Sequence, residues 1–225
     1  ARAMVNATRR NRRVFQVGSM QRSSREFRVA CELVRNGVIG KVKTVHVGVG
    51  GPGVPCDLPE EAMEPGLDWD FWCGPGPSRP YNSVLSPRGV HNHYPDWRKY
   101  KEYGSGGVGD WGAHHLDIAQ WGLGMDNSGP VKVVPPDDPK AGQGGVLHYA
   151  SGITVTHKDG YGIDFFGSEG EVKVNRGKLE FYLGGKKIAG FSDKKDGGSL
   201  GSVIDKIEKE YLKDAKIKLY ESKDH

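Results

Sequence analysis

The sequence predicts a mixed α/β (α+β) chain built on an open, largely antiparallel sheet flanked by helices. Three observations predict it. Residues 131–191 hold seven short apolar runs separated by turn residues, the pattern of consecutive short strands. Segments with helical spacing stand on either side, at 24–37, about 110–122 and roughly 200–213. Glycine, 34 of 225 residues, is used at roughly twice the ~7% average and without a fixed period, so it marks turns and close backbone approaches.

Residues 1–12 have the spacing of a helix end, and Val14-Phe15-Gln16-Val17-Gly18 that of a short buried strand. In Ser24–Gly37, Phe27, Ala30, Cys31 and Val34 fall on one helical face, with Ser23 or Ser24 as N-cap and Gly37 at the C-terminal cap. Val42–Val49 alternates Val45, Val47 and Val49 with Thr44, His46 and Gly48, a half-buried strand. Residues 50–105 form a loop-rich insertion with nine prolines and four aromatic anchors, Trp69, Phe71, Trp72 and Trp97. A structureless stretch of that length in a compact domain is usually functional. A helix follows from about Asp110 to Gly122. The strands expected after it are Val131–Val134, Gly145–Tyr149, Ile153–His157, Tyr161–Gly167, Glu171–Asn175, Lys178–Leu183 and Lys187–Phe191. In the fourth of these, Tyr161, Ile163 and Phe165 alternate with Gly162, Asp164 and Phe166, which puts an apolar residue on each sheet face and suggests self-association through the second one.

Composition narrows the function classes. Lys plus Arg, 32, against Asp plus Glu, 28, gives a net charge of only +4. Arg2, Arg9, Arg10, Arg12 and Arg13 are the one lopsided stretch, and their spacing against Ala3, Met4 and Ala7 fits a solvated helix face better than a nucleic-acid arm. Three scattered cysteines without a CxxC support neither a disulfide framework nor a zinc site. No apolar run reaches the ~18 residues that would span a membrane. The chain starts without Met inside an apparent helix and stops at Lys223-Asp224-His225 with no closing element. It is read as a piece trimmed at both ends, which leaves localisation open.

Two GxGxxG strings invite a dinucleotide reading. Gly48-Val-Gly50-Gly-Pro-Gly53 follows a strand, but Pro52, Pro55 and Pro59 block a helix after it. Gly104-Ser-Gly106-Gly-Val-Gly109 precedes a helix, but no strand leads into it. The fingerprint needs strand, turn and helix together, so neither string qualifies.

The chemistry concentrates at Asp110-Trp-Gly-Ala-His114-His115-Leu-Asp117, where Asp110, His114 and Asp117 are spaced i, i+4 and i+7 to line one helical face. A carboxylate one turn from a histidine can orient it as a proton acceptor. The competing reading is a helix-dipole carboxylate beside a core histidine. His91 and His93 with His114 and Asp110 offer imidazole and carboxylate donors for a metal-assisted hydrolase or lyase, although no metal ligand set is assigned. No GxSxG elbow supports a serine hydrolase.

At this cluster the sequence resembles the Gfo/Idh/MocA oxidoreductases of bacterial type. The residues that carry the likeness are Phe15-Gln-Val-Gly18-Ser-Met-Gln-Arg22-Ser, Gly37-Val-Ile-Gly40-Lys-Val, Trp69-Asp-Phe-Trp72-Cys-Gly74-Pro75, Asp96-Trp97-Arg98 and Gly106-Gly-Val-Gly-Asp110-Trp-Gly112-Ala-His114-His-Leu-Asp117-Ile-Ala-Gln-Trp121. The resemblance implies that residues 1–22 end a Rossmann domain and that 23–225 form the C-terminal substrate and oligomerisation domain. It implies NAD or NADP in the full-length protein, with none held tightly by this chain, and a sugar, cyclitol or related polyol as substrate. His114 would be the general acid/base in a cleft bordered by the insertion, with Asp110 positioning it. Arg22, Trp97, Arg98 and Asp117 would line the pocket, and His115, about 100° around the helix, would lie off it. A non-catalytic carbohydrate-binding or assembly module remains the alternative.

Overall fold

The computed structural model describes residues 2–89 and 95–219. Its centre is one eight-stranded sheet in the order β2-β3-β4-β1-β5-β6-β7-β8. The strands are β1 (Thr44–Val47), β2 (Lys132–Val134), β3 (Val146–His148), β4 (Thr154–His157), β5 (Ile163–Phe166), β6 (Gly170–Asn175), β7 (Lys178–Leu183) and β8 (Lys186–Phe191). Each of the eight expected strands from Val42 onward is present: the first five are one to four residues shorter than expected, β7 has the expected bounds, and β6 and β8 each begin one residue earlier. Every pairing is antiparallel except β1 with β4, which runs parallel. That parallel pair arises because the insertion separates β1 from the rest of the sheet in sequence while the sheet takes it into the middle.

Period-two alternation decides which face is covered. Val45, Val47, Val155, Ile163, Phe165, Val172, Val174, Leu179 and Phe181 point one way and are buried. Against them pack α2 (Arg25–Arg35), α5 (Gly112–Gly122) and α6 (Leu200–Tyr211). The helix α2 presents Phe27, Ala30, Cys31 and Val34 as its spacing demands, begins at Ser24 and ends into Gly37, whose φ of 72° suits a residue without a side chain. A capping box between Ser199 and Ser202 starts α6. Arg25 joins Asp205 and Glu208 of α6, and Arg28 adds Glu208, so the two helices are clamped along their outer edges as well as over the core. No helix of the described residues is long and apolar enough to cross a membrane.

The N-terminus departs from expectation. Helix α1 (Arg2–Arg10) forms but buries none of its residues. Val14–Gly18 is not a strand: Val14 is 99% exposed and Phe15 58%. A strand needs a neighbour to receive its backbone hydrogen bonds, and among the described residues none runs beside this segment. In the insertion, Asp68 caps the short α3 (Trp69–Cys73), and Trp69, Cys73, Tyr81 and Leu85 make a second small core. Arg79 ties it together by donating to the carbonyls of Cys56 and Leu58, both at 2.7 Å. Three of the four aromatics expected to anchor the insertion pack into or against this core, whereas Phe71 is turned outward and is 84% exposed. Cys31, Cys56 and Cys73 are free thiols.

Close packing of α5 on the sheet depends on Gly122. A methyl group there would stand 2.6 and 2.8 Å from the ring of Phe165 and 3.4 Å from Cys31 Sγ. Phe165 is fully buried and has nowhere to turn. Gly122→Ala is therefore expected to destabilise the fold by about 1–3 kcal/mol of overpacking, against a helix-propensity gain of at most about 1 kcal/mol. Chemical denaturation checks the sign.

The uncovered sheet face carries a buried carboxyl. Asp164, 7% exposed, lies between His46 on β1 and Lys173 on β6, with Glu171 and Glu180 near, and its Oδ1 has no hydrogen-bond partner among the described residues. Burial pushes this carboxyl up to about 6, although Lys173 pulls it down. The folded chain thus holds the proton more tightly than the unfolded chain. Its contribution favours folding in acid and is lost as pH rises through about 6. Asp164→Asn should raise stability at about pH 8 by up to about 3 kcal/mol and make little difference near pH 4. Melting curves across that range test it; equal shifts at both ends would contradict it.

Candidate functional site

A cavity of about 730 Å³ opens where β1 runs out into the insertion and meets the start of α5. Its backbone wall is Gly48–Gly51 with Gly106 and Gly107, and its polar wall includes Arg98, Asp110, His115 and Arg176. Both glycine strings end here, but against each other. Gly106 has a φ of 66°, and a methyl on it would come within 2.4 Å of the Pro52 carbonyl carbon, while one on Gly107 would reach the Val49 carbonyl oxygen at 2.2 Å. A bridge between Pro52 and Gly106 joins the two strings. The glycines therefore let two backbones cross, and neither string leads from a strand into a helix that could receive a pyrophosphate.

The expected single helix over 110–122 is two. Helix α4 (Gly106–Asp110) ends at Asp110, Trp111 forms the joint, and α5 begins at Gly112. At the joint the His114 amide donates to the Trp111 carbonyl at 3.1 Å rather than to that of Asp110, so one turn is tightened. His115, expected to lie off the site, is the one in the cavity wall and is 3% exposed. His114 is half-buried on the neighbouring side, beside Gln21.

A single polar chain links these groups. His115 Nδ1 is 2.9 Å from the Gly48 carbonyl oxygen, and Arg176 Nη1 is 2.8 Å from His115 Nε2. The carbonyl only accepts and the guanidinium only donates, so His115 carries its proton on Nδ1. Burial, with Arg176 and His114 adding to it, pushes the His115 imidazole below the ordinary histidine range and keeps it neutral. The Arg176 guanidinium also lies 4.4 Å over the Trp111 ring. On its far side stands the Gln21 amide; assigned with its oxygen toward Arg176, the orientation that satisfies both neighbours, it accepts from Arg176 Nε and Nη2 at 3.2 and 3.0 Å and its nitrogen donates to His114 Nδ1 at 2.5 Å. Gln21 is 6% exposed. Gln21 and Arg176 went unread in the sequence. Gln21 stands one position before Arg22 in a string that already carried the resemblance, and Arg176 sits at a hairpin, where a lone arginine signals nothing.

The remaining expected residues separate. Arg98 lines the cavity, with Nε 3.4 Å from Asp110 Oδ2 and its guanidinium 4.6 Å over Trp97. Trp97 itself lines a second hollow of about 550 Å³ with Trp72, Glu102 and Tyr103. Arg22 and Asp117 do not line the large cavity. They bind each other in a two-pronged pair, Nε–Oδ2 2.8 Å and Nη2–Oδ1 2.7 Å, which Asp126 extends at 2.8 Å. That pairing holds the turn Met20–Ser23 on α5, and so places Gln21. His91 and His93 lie outside the described residues. Among those described, no three His, Cys, Asp or Glu side chains are grouped to hold a metal.

The family model for the C-terminal α/β domain of the oxidoreductase family, of the Gfo/Idh/MocA group, matches residues 52–191. No curated protein matches the chain. Among solved structures, the aldose-aldose oxidoreductase of Caulobacter crescentus complexed with glycerol is similar at 20% identity and a TM-score of 0.50, over 95% of this chain and 58% of that one. An inositol dehydrogenase homologue of Azotobacter vinelandii complexed with NAD+ is similar at 15% identity and a TM-score of 0.50, over 91% of this chain and 50% of that one. At these identities the likeness is one of fold. The chain spans only about half the length of each.

Proposed function

The chain belongs to the Gfo/Idh/MocA oxidoreductase family through its C-terminal α/β domain, and we propose that it is the substrate-binding half of an NAD(P)-dependent oxidoreductase acting on a sugar, cyclitol or related polyol. The observation that carries this reading is the cavity at the head of α5. It is large enough for a monosaccharide-sized ligand, and it combines fixed donors, an acid and bare glycine backbone in the mixture that hydroxyl groups require. Glycerol in one similar structure and the inositol dehydrogenase kinship of the other lie in the same substrate class.

In this reading residues 1–22 close a dinucleotide-binding domain and 23–225 form the substrate domain. The apolar, exposed Val14–Gly18 segment has the character of a strand whose sheet lies elsewhere. The described residues themselves do not fit a dinucleotide, since no strand–glycine turn–helix unit is present among them. NAD or NADP is therefore assigned to the whole protein and not to this chain alone. In this reading Asp110 in the cavity wall, held by Arg98, positions the general acid/base His114, which stands beside the cavity and meets the reacting hydroxyl in the whole protein, and Trp97 lies in the adjoining hollow. Arg22 and Asp117 act from behind, by seating Gln21 against His114. The uncovered sheet face, with Phe166 packed 4.7 Å from His46 beside Asp164, is the surface through which two copies associate.

In the whole protein, His114→Ala should lower polyol turnover with NAD or NADP by about 10²–10⁴-fold. Its melting temperature should stay within about 3 °C of the parent. His115→Ala should instead cost stability, because it removes the partner of Arg176 in a buried chain. Turnover and melting measured together decide the matter. Unchanged turnover in His114→Ala, or turnover and melting lost in parallel, would overturn the assignment.

A further inference from the structure

We infer that the hollow between α3 and the turn Asp96–Lys99 is a subsite for an uncharged sugar ring, and that the substrate is therefore a glycoside of two rings. One ring reacts in the cavity at the head of α5, and the second, unreacting ring stacks on Trp72 and Trp97. The inference rests on the reading of that cavity as the place where a sugar reacts, and it narrows the substrate class.

The hollow, about 550 Å³, falls within the ~300–1,000 Å³ of small-molecule sites. Its walls are aromatic: Trp72 from α3, Trp97 from the turn, and Tyr103. Each ring is held in place by the protein itself. Trp72 stacks on Trp69 at 4.5 Å and meets Tyr103 edge-on at 5.3 Å. Tyr103 donates its hydroxyl proton to the Pro77 carbonyl at 3.0 Å. The Arg98 guanidinium lies 4.6 Å over Trp97. Rings fixed in this way lose little freedom when a ligand arrives, which favours binding.

The polar groups of the hollow suit hydroxyls. Trp69 Nε1 donates to the Arg79 carbonyl at 2.7 Å, whereas among the described residues the same N–H of Trp72 and of Trp97 has no hydrogen-bond partner. Glu102 Oε2 accepts from the Cys56 amide at 3.0 Å, which holds the carboxylate and leaves Oε1 as a second acceptor. A pyranose presents C–H groups on its faces and hydroxyls around its edge. Ring faces, two N–H donors and a carboxylate oxygen match both. Charge decides against other ligands that seek aromatic walls. A cation is drawn to indole faces, but Arg98 already lies over Trp97, and the Arg79 charge reaches Tyr103. An anion would meet the Glu102 carboxylate. A neutral ring meets neither penalty.

Consecutive residues connect the two spaces. Trp97 lines the hollow and Arg98 the cavity, in one turn and stacked on each other, and Arg98 reaches Asp110 at 3.4 Å. A ligand that fills both passes over the Trp97–Arg98 pair, as two sugar rings joined by one oxygen can.

Indole N–H resonances of the whole protein, assigned by single Trp→Phe substitutions, test this without turnover. Glucose and galactose should shift Trp111, which lines the cavity. At least one of maltose, cellobiose and lactose should also shift Trp72 and Trp97, leave Trp69 unmoved, and bind about tenfold more tightly than glucose. Trp72→Leu should bring the affinity for that disaccharide down to that for glucose. Glu102→Gln, which keeps an oxygen for the Cys56 amide, should weaken disaccharide binding severalfold and serves where Trp72→Leu does not fold. Three disaccharides that leave Trp72 and Trp97 unmoved would overturn the inference. So would choline or inorganic phosphate shifting them where no sugar does, or a folded Trp72→Leu protein that still prefers the disaccharide. Disaccharide binding at Trp72 and Trp97 in a protein that oxidises no sugar would overturn the oxidoreductase reading and leave the subsite. Monosaccharide oxidation with no shift at these two rings would do the reverse.

Discussion

The site depends on a cation that cannot accept a hydrogen bond. Arg176 projects from the β6–β7 hairpin into the angle between the N-terminal turn and the head of α5, and its guanidinium touches all three elements through His115, Trp111 and Gln21. Because it can only donate, every neighbour in its plane must offer an acceptor, and each offer fixes a proton one group further on. A lysine there would supply charge without the planar fork, and would leave Gln21 free to turn. Position and protonation are thus set by the same side chain.

That side chain is placed by the sheet. The β6–β7 register, with Asn175 opposite Lys178, brings Arg176 to the turn, and α5 reaches it because Gly122 lets the helix lie against Phe165 at the other end. The two glycine strings then let the insertion cross the start of α4 and complete the cavity wall. Helix packing, strand register and backbone crossing each contribute one wall, which is why the cavity sits where they meet and not on any one element.

Much of this order was legible in the sequence. Alternation such as Val45, Val47 and Val49, or Ile163 and Phe165, announces a sheet with one covered face, and the glycine after Asn36 announces where α2 must stop. What was not legible has physical causes. Val14–Gly18 has the composition of a strand but no neighbour among the described residues to make it one. Asp110 and His114 are spaced as if to share a wall, yet the cavity takes Asp110 and His115, because helical spacing alone does not say over which side of α5 the insertion closes. Arg22 and Asp117 carry the charges expected of pocket residues, but 95 positions apart in sequence nothing indicates that they neutralise each other. Long-range polar pairing is specified by the fold, and local pattern cannot report it.

The central claim is that donor and acceptor constraints run unbroken from the Gly48 carbonyl to His114. Neutron diffraction from deuterium-exchanged crystals of the protein tests it most directly, because it places the deuterons. The account predicts a deuteron on His115 Nδ1, none on His115 Nε2, and the two amide deuterons of Gln21 on the atom facing His114. Amide deuterons on the atom facing Arg176, or a deuteron on His115 Nε2, would contradict it.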